Sequence, residues 1–103
     1  MAVDKGLVWV LGHAAGSYLT LRALTALVLV CRKGTAEDDV TIRGLTEAMA
    51  IPKPSVTRAV DLLEEFALIT RAADPRDRRS ILVVPTEEGA KFVAGFLKLV
   101  SAA

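Results

Sequence analysis

The chain has 103 residues, the length of one domain with room for a modest core. Its formal net charge is +1, which excludes a nonspecific polycation, so any polyanionic partner must be met by segregated charge. A hydrophobic share of 52% with only 5% aromatics excludes a disordered chain and points to helices packed through Leu, Val and Ala.

The first 33 residues read as two apolar helices broken near Gly12–Ser17. The longest apolar stretch, Ala23 to Cys31, is interrupted by Thr25 and is about half of what a bilayer-spanning helix needs. Asp4 and Lys5 cancel where a signal peptide wants a basic start. The expectation is therefore a cytoplasmic protein with no membrane partner. Its excess apolar surface, Leu7, Trp9 and Leu11 at one end and Phe92, Phe96 and Val100 at the other, is expected to form a dimer interface. Thr20 is placed to cap the second helix, which carries Leu21, Leu24, Leu27 and Val28 on one face and ends at Gly34. A lone cysteine excludes an internal disulfide, and His13 has no second ligand near it, so neither metal nor cofactor is expected. Cys31 follows an apolar run that raises a thiol pKa and makes the group inert.

Beyond the acidic loop Thr35–Asp39, Thr41 can cap a short helix from about Arg43 to Met49 that buries Leu45, Ala48 and Met49. Ile51-Pro52-Lys53 reads as a tight connection. Pro54 suits the first turn of the next helix, where a missing N–H costs nothing. At 100° per residue, Val56, Ala59, Val60, Leu63 and Phe66 share one side of it, with Pro54, Thr57, Arg58, Asp61 and Glu65 opposite.

The period then changes. Leu68–Ala72 and Ser80–Pro85 are β-prone and flank Asp74-Pro75-Arg76-Asp77-Arg78-Arg79, so a hairpin with a charged loop is expected. Thr86 with Glu87 and Glu88 opens a last helix, the acids suiting its dipole. The order helix, turn, helix, hairpin, helix is that of a winged helix-turn-helix, mainly α with a small β-hairpin wing (α+β). We read residues 1–103 as one such domain, with 1–33 at an interface, 40–85 a DNA-binding lobe and 86–103 a C-terminal helix.

In a helix-turn-helix the second helix enters the major groove and the first braces it. Lys53, Ser55, Thr57 and Arg58 supply short polar groups and cations at the start of that helix. Lys53 suits a phosphate, and the other three a phosphate or a base edge. Arg71, Arg76, Arg78 and Arg79 make the hairpin basic, which suits the negative potential of a minor groove. An aspartate beside them can pair with a neighbouring arginine and hold the loop's shape.

The run Val40-Thr41-Ile42-Arg43-Gly44-Leu45-Thr46-Glu47-Ala48-Met49, followed by Lys53-Pro54-Ser55-Val56-Thr57-Arg58 and Asp61-Leu62-Leu63-Glu64, resembles the helix-turn-helix of the MarR family of transcriptional regulators. Asp74 to Ser80, leading into Pro85-Thr86-Glu87-Glu88-Gly89, resembles that family's wing and the start of its next helix. Thr20-Leu21-Arg22-Ala23-Leu24 resembles the helix before the DNA-binding lobe. The resemblance implies that Ser55, Thr57 and Arg58 lie on the recognition helix. It also implies that Arg76 or Arg78 enters the minor groove, with Asp77 and Arg79 shaping the wing. Where the family usually carries glycine, this chain has Ala67.

These features make a sequence-specific double-stranded DNA-binding regulator, a homodimer on an inverted repeat, the leading reading; a small-molecule effector is left open. The second reading is a winged-helix interaction module docking on a larger regulator, which the near-neutral charge and the Glu64–Glu65 pair favour. An enzyme is discounted, since no nucleophile–base pair or phosphate loop is present.

Overall fold

The computed structural model describes residues 19–33 and 40–101 of the chain. Expectations for Leu7, Trp9, Leu11, His13, the Gly34 cap and the side chain of Val100 fall outside what it describes.

Helix α1, Leu21–Lys33, starts where Thr20 Oγ1 accepts the Ala23 N–H at 3.1 Å, so the cap at Thr20 forms. Its buried stripe is Ala23, Leu24, Ala26, Leu27 and Val30, while Leu21 is 76% exposed and Val28 half-buried. The face drawn through Leu21 and Val28 is thus corrected. The helix turns its small alanines inward, which lets its neighbours lie close.

Thr41 Oγ1 accepts the Gly44 N–H at 2.9 Å and starts α2, Ile42–Met49. This helix buries Ile42 and Leu45, whereas Ala48 is exposed and Met49 half-buried. Ile42 sets the inward face because the helix begins one residue before the expected start. Ala48 then falls about 240° round from it. At the end of α2 the chain turns on Ala50, in the left-handed region at φ 54°, and passes through Ile51 and Pro52 into α3, Lys53–Glu65. The inner face of α3 is Val56, Ala59, Val60 and Leu63, as the amphipathic split requires.

Two backbone bonds close the end of α3: Ala67 N–H to Glu64 C=O and Leu68 N–H to Leu63 C=O, both 2.9 Å. This is a Schellman turn, and Ala67 occupies its left-handed position at φ 57°. Strands β1, Ile69–Asp74, and β2, Asp77–Pro85, pair antiparallel with Ile69 opposite Pro85 and Ala73 opposite Ile81. The six-residue loop expected here is corrected. The turn is only Pro75-Arg76, and Asp77, Arg78 and Arg79 belong to β2. The turn is this short because Asp74 Oδ1 accepts the Arg76 N–H at 2.9 Å, so a side chain supplies the closing bond. On the other edge of β2, Val83 N–H donates to the Val40 C=O at 2.8 Å, tying the lead-in of α2 to the wing.

The last helix, α4, is Glu87–Ser101. Thr86 starts it by accepting the Gly89 N–H at 3.0 Å on Oγ1, while the same hydroxyl donates to the Ala67 C=O at 2.6 Å. Phe92 and Val93 lie in the core with Leu27, Val60 and Leu63. Phe92 is only 2% exposed, so its assignment to a dimer interface is corrected: a single chain already covers it. Phe96 is half-buried against the same core. Among the described residues no helix is long and apolar enough to cross a membrane.

Candidate nucleic-acid interface

The polar start of α3 comes from its packing. Burying Val56, Ala59 and Val60 leaves Lys53 and Arg58 exposed and Ser55 and Thr57 half-buried at the edges of the apolar stripe. Ser55 is turned toward α1, where its Oγ accepts a hydrogen bond from Arg22 Nη1 at 3.2 Å.

The wing adds a second polar surface. Every residue from Asp77 to Arg79 is exposed, because the hairpin projects beyond the point where Leu82 and Val83 enter the core. The pairing register with β1 shifts between Ala73 and Asp74, so Arg78 and Arg79 lie in an irregular stretch of the ladder where strict alternation does not govern them. Asp77 Oδ1 accepts the Arg79 N–H at 2.9 Å, and Arg76 sits in the turn with its Nε 3.3 Å from Asp74 Oδ1.

Helix and wing share one concavity of about 840 Å³. Lys53 and Thr57 of α3 border it on one side, Asp77 and Arg79 of β2 on the other, and Arg43 and Glu47 of α2 also line it. Of the anticipated interface residues, these four of α3 and β2 line the same groove. Ser55, Arg58, Arg76 and Arg78 do not: Ser55 is bonded to α1, Arg58 is exposed on α3, Arg76 sits in the wing turn and Arg78 is exposed on β2.

Pairing then decides which cations are available. Arg71, counted with the wing arginines in the sequence, instead spans from β1 to α3, donating Nη2 to Asp61 and Nη1 to Glu64 at 2.9 Å. It braces the hairpin against α3 and neutralises carboxylates on that helix. Arg43 pairs with Glu47 at 3.6 Å. Among the described residues, no carboxylate pairs with the side chains of Lys53, Arg58, Arg78 or Arg79.

The Arg76 amide bonded to Asp74, with the Arg76 guanidinium beside it, holds the Asp74 carboxyl below the usual aspartate range. A depressed pKa means the turn-closing bond is present above the ordinary aspartate value and is lost only as pH falls through the lowered one. Burial pushes the Cys31 thiol up; its Sγ faces the Gly89 C=O at 3.8 Å against the core. Among the described residues no cluster of His, Cys, Asp or Glu could hold a metal ion.

Sequence reasoning missed Arg22 and the lining residue Arg43 as members of this surface. Arg43 was legible in principle, two residues after the Thr41 cap on the polar side of α2. Arg22 was not, since its partner Ser55 is 33 positions away.

No protein of curated function matches the chain. Among solved structures, it is similar to a MarR-family transcriptional regulator from Rhodococcus sp. RHA1, at 33% identity and a TM-score of 0.74 over 98% of this chain and 64% of that one. CouR from Rhodococcus jostii RHA1, bound to p-coumaroyl-CoA, gives 34% identity and a TM-score of 0.74 with the same coverage. MepR of S. aureus, in a complex with DNA, is 22% identical with a TM-score of 0.77 over 98% of this chain and 74% of MepR, a likeness of fold. The chain thus spans somewhat less than two thirds of the length of the Rhodococcus proteins. The sequence pattern of the MarR family matches residues 10–80, which takes in α1, the helix-turn-helix and most of the wing, and the chain belongs to that family.

Proposed function

We propose that this protein is a sequence-specific regulator of transcription that binds double-stranded DNA as a homodimer on an inverted-repeat operator, and that it has no catalytic role. The observation that carries the reading is the shared groove: Lys53 and Thr57 on the recognition helix face Asp77 and Arg79 on the wing across one open concavity. A major groove about 12 Å wide admits one helix, and the wing beside it then meets the flanking minor groove. In this reading Lys53 neutralises a phosphate, and Ser55, Thr57 and Arg58 meet base edges or phosphate. Arg76, in the turn, or Arg78 enters the minor groove, while Asp77 holds the strand through its bond to the Arg79 amide. The MepR structure, solved with DNA, supports the use of this fold on a duplex. CouR, solved with p-coumaroyl-CoA, keeps a small-molecule effector within the reading.

The test is binding of the purified protein to DNA from its own promoter over a series of salt concentrations. Log affinity is expected to fall linearly with log salt. Arg58→Ala is expected to cost about 1–3 kcal/mol and to relax base preference if the guanidinium reads a base, or to weaken all duplexes alike if it meets phosphate. Affinity that ignores salt would overturn the regulator reading.

A further inference from the structure

Arg22 stands in the first turn of α1, outside both the helix-turn-helix and the wing. Its Nη1 nevertheless donates to Ser55 Oγ at 3.2 Å, which brings a guanidinium to the end of α3 that also carries Lys53. That bond uses one of five guanidinium donors and meets a neutral acceptor, so the bond itself leaves the charge uncompensated. Arg22 is exposed, and among the described residues no carboxylate pairs with it. The bracing arginine of the same fold looks different: Arg71 is largely covered and binds two carboxylates, Asp61 and Glu64. A single exposed bond to a hydroxyl is a weak brace, worth about 1 kcal/mol. It is enough to aim a guanidinium that, among the described residues, has no carboxylate partner.

We infer that Arg22 is a DNA-backbone contact: steered by Ser55 Oγ to the start of the recognition helix, its guanidinium binds a phosphate oxygen of the strand bordering the groove that α3 enters. The interface thereby extends onto α1, an element with no part in base readout. The inference rests on the proposed reading of the chain as a DNA-binding regulator.

The experiment compares the full chain with Arg22→Ala, Arg22→Gln, Arg22→Lys and Ser55→Ala, titrated against operator and unrelated duplexes at several KCl concentrations. Thermal unfolding establishes that each variant is folded; Arg22→Gln keeps the side-chain stem should Arg22→Ala lose packing. Loss of the guanidinium charge is expected to weaken binding roughly tenfold on both duplexes and to reduce the magnitude of the salt slope by about one per bound protomer. Arg22→Lys keeps the slope because it keeps the charge; Ser55→Ala, which removes the steering hydroxyl, is expected to weaken binding, and wild-type affinity in that variant would overturn the steering. A steep wild-type slope left unchanged by Arg22→Ala and Arg22→Gln overturns the contact and leaves the regulator reading standing. Weakening with an unchanged slope, equal in Arg22→Ala and Arg22→Lys, also overturns it in favour of a structural role. A wild-type chain whose binding ignores salt overturns the regulator reading, and this inference with it.

Discussion

Two residues at the joint between α3 and α4 show how strictly single positions are held. Ala67 adopts φ 57° to close the Schellman turn, a backbone region in which a Cβ costs roughly 1–2 kcal/mol. Ala67→Gly removes that strain but gives the unfolded chain more freedom, so a net gain of about 0.5–1 kcal/mol is expected. A urea midpoint that rises with an unchanged m-value is the check. Gly89 is the opposite case. A Cβ there would lie 2.0 Å from the Leu68 carbonyl oxygen, because Thr86 draws the first turn of α4 onto that backbone through its bonds to Ala67 and Leu68. Gly89→Ala is therefore expected to destabilise by about 3 kcal/mol, read from the same urea curves; wild-type stability would contradict this packing.

At the scale of elements, Arg71 bridges β1 of the wing to α3, with its side chain 25% exposed. Its bonds to Asp61 and Glu64 are partly solvated, so Arg71→Ala is expected to cost only about 1 kcal/mol in stability. Operator affinity should fall further than that. The wing loses its brace, and two carboxylates on the recognition helix are left to repel phosphate. Calorimetric unfolding and operator titration on the same sample separate the effects; equal losses in both would show that Arg71 only stabilises the fold. The wing also shows why strand geometry matters. Asp77 and Arg79 line the groove and Arg78 does not, at a stretch of β2 where the register with β1 shifts.

For the whole molecule, function is expected to depend on a pair of chains. Leu21 remains 76% exposed on α1, and Phe96 and Leu97 are only half-buried on α4, so apolar surface is left over after one chain has folded. The proposed dimer should show twice the chain mass by light scattering at operator-saturating concentrations. Footprinting should show half-sites about one helical turn, or a multiple of it, apart. A single-chain mass under those conditions would contradict the inverted-repeat arrangement.

Local chemistry made much of this legible in the sequence. The caps at Thr20 and Thr41, the proline in the first turn of α3 and that helix's apolar stripe each depend on neighbours within a turn or two, so residue order alone specifies them. The winged-helix order followed from the change of period after Phe66. Contacts between distant residues were not legible. Residue spacing did not reveal that Arg71 would be consumed by Asp61 and Glu64, that Arg22 would reach Ser55, or that Phe92 would fill the core of a single chain. Composition supplied the arginines of the proposed interface. Only the packing of α1, α3 and the hairpin decided which of them have no carboxylate partner among the described residues, because ion pairing and burial are properties of neighbours in space.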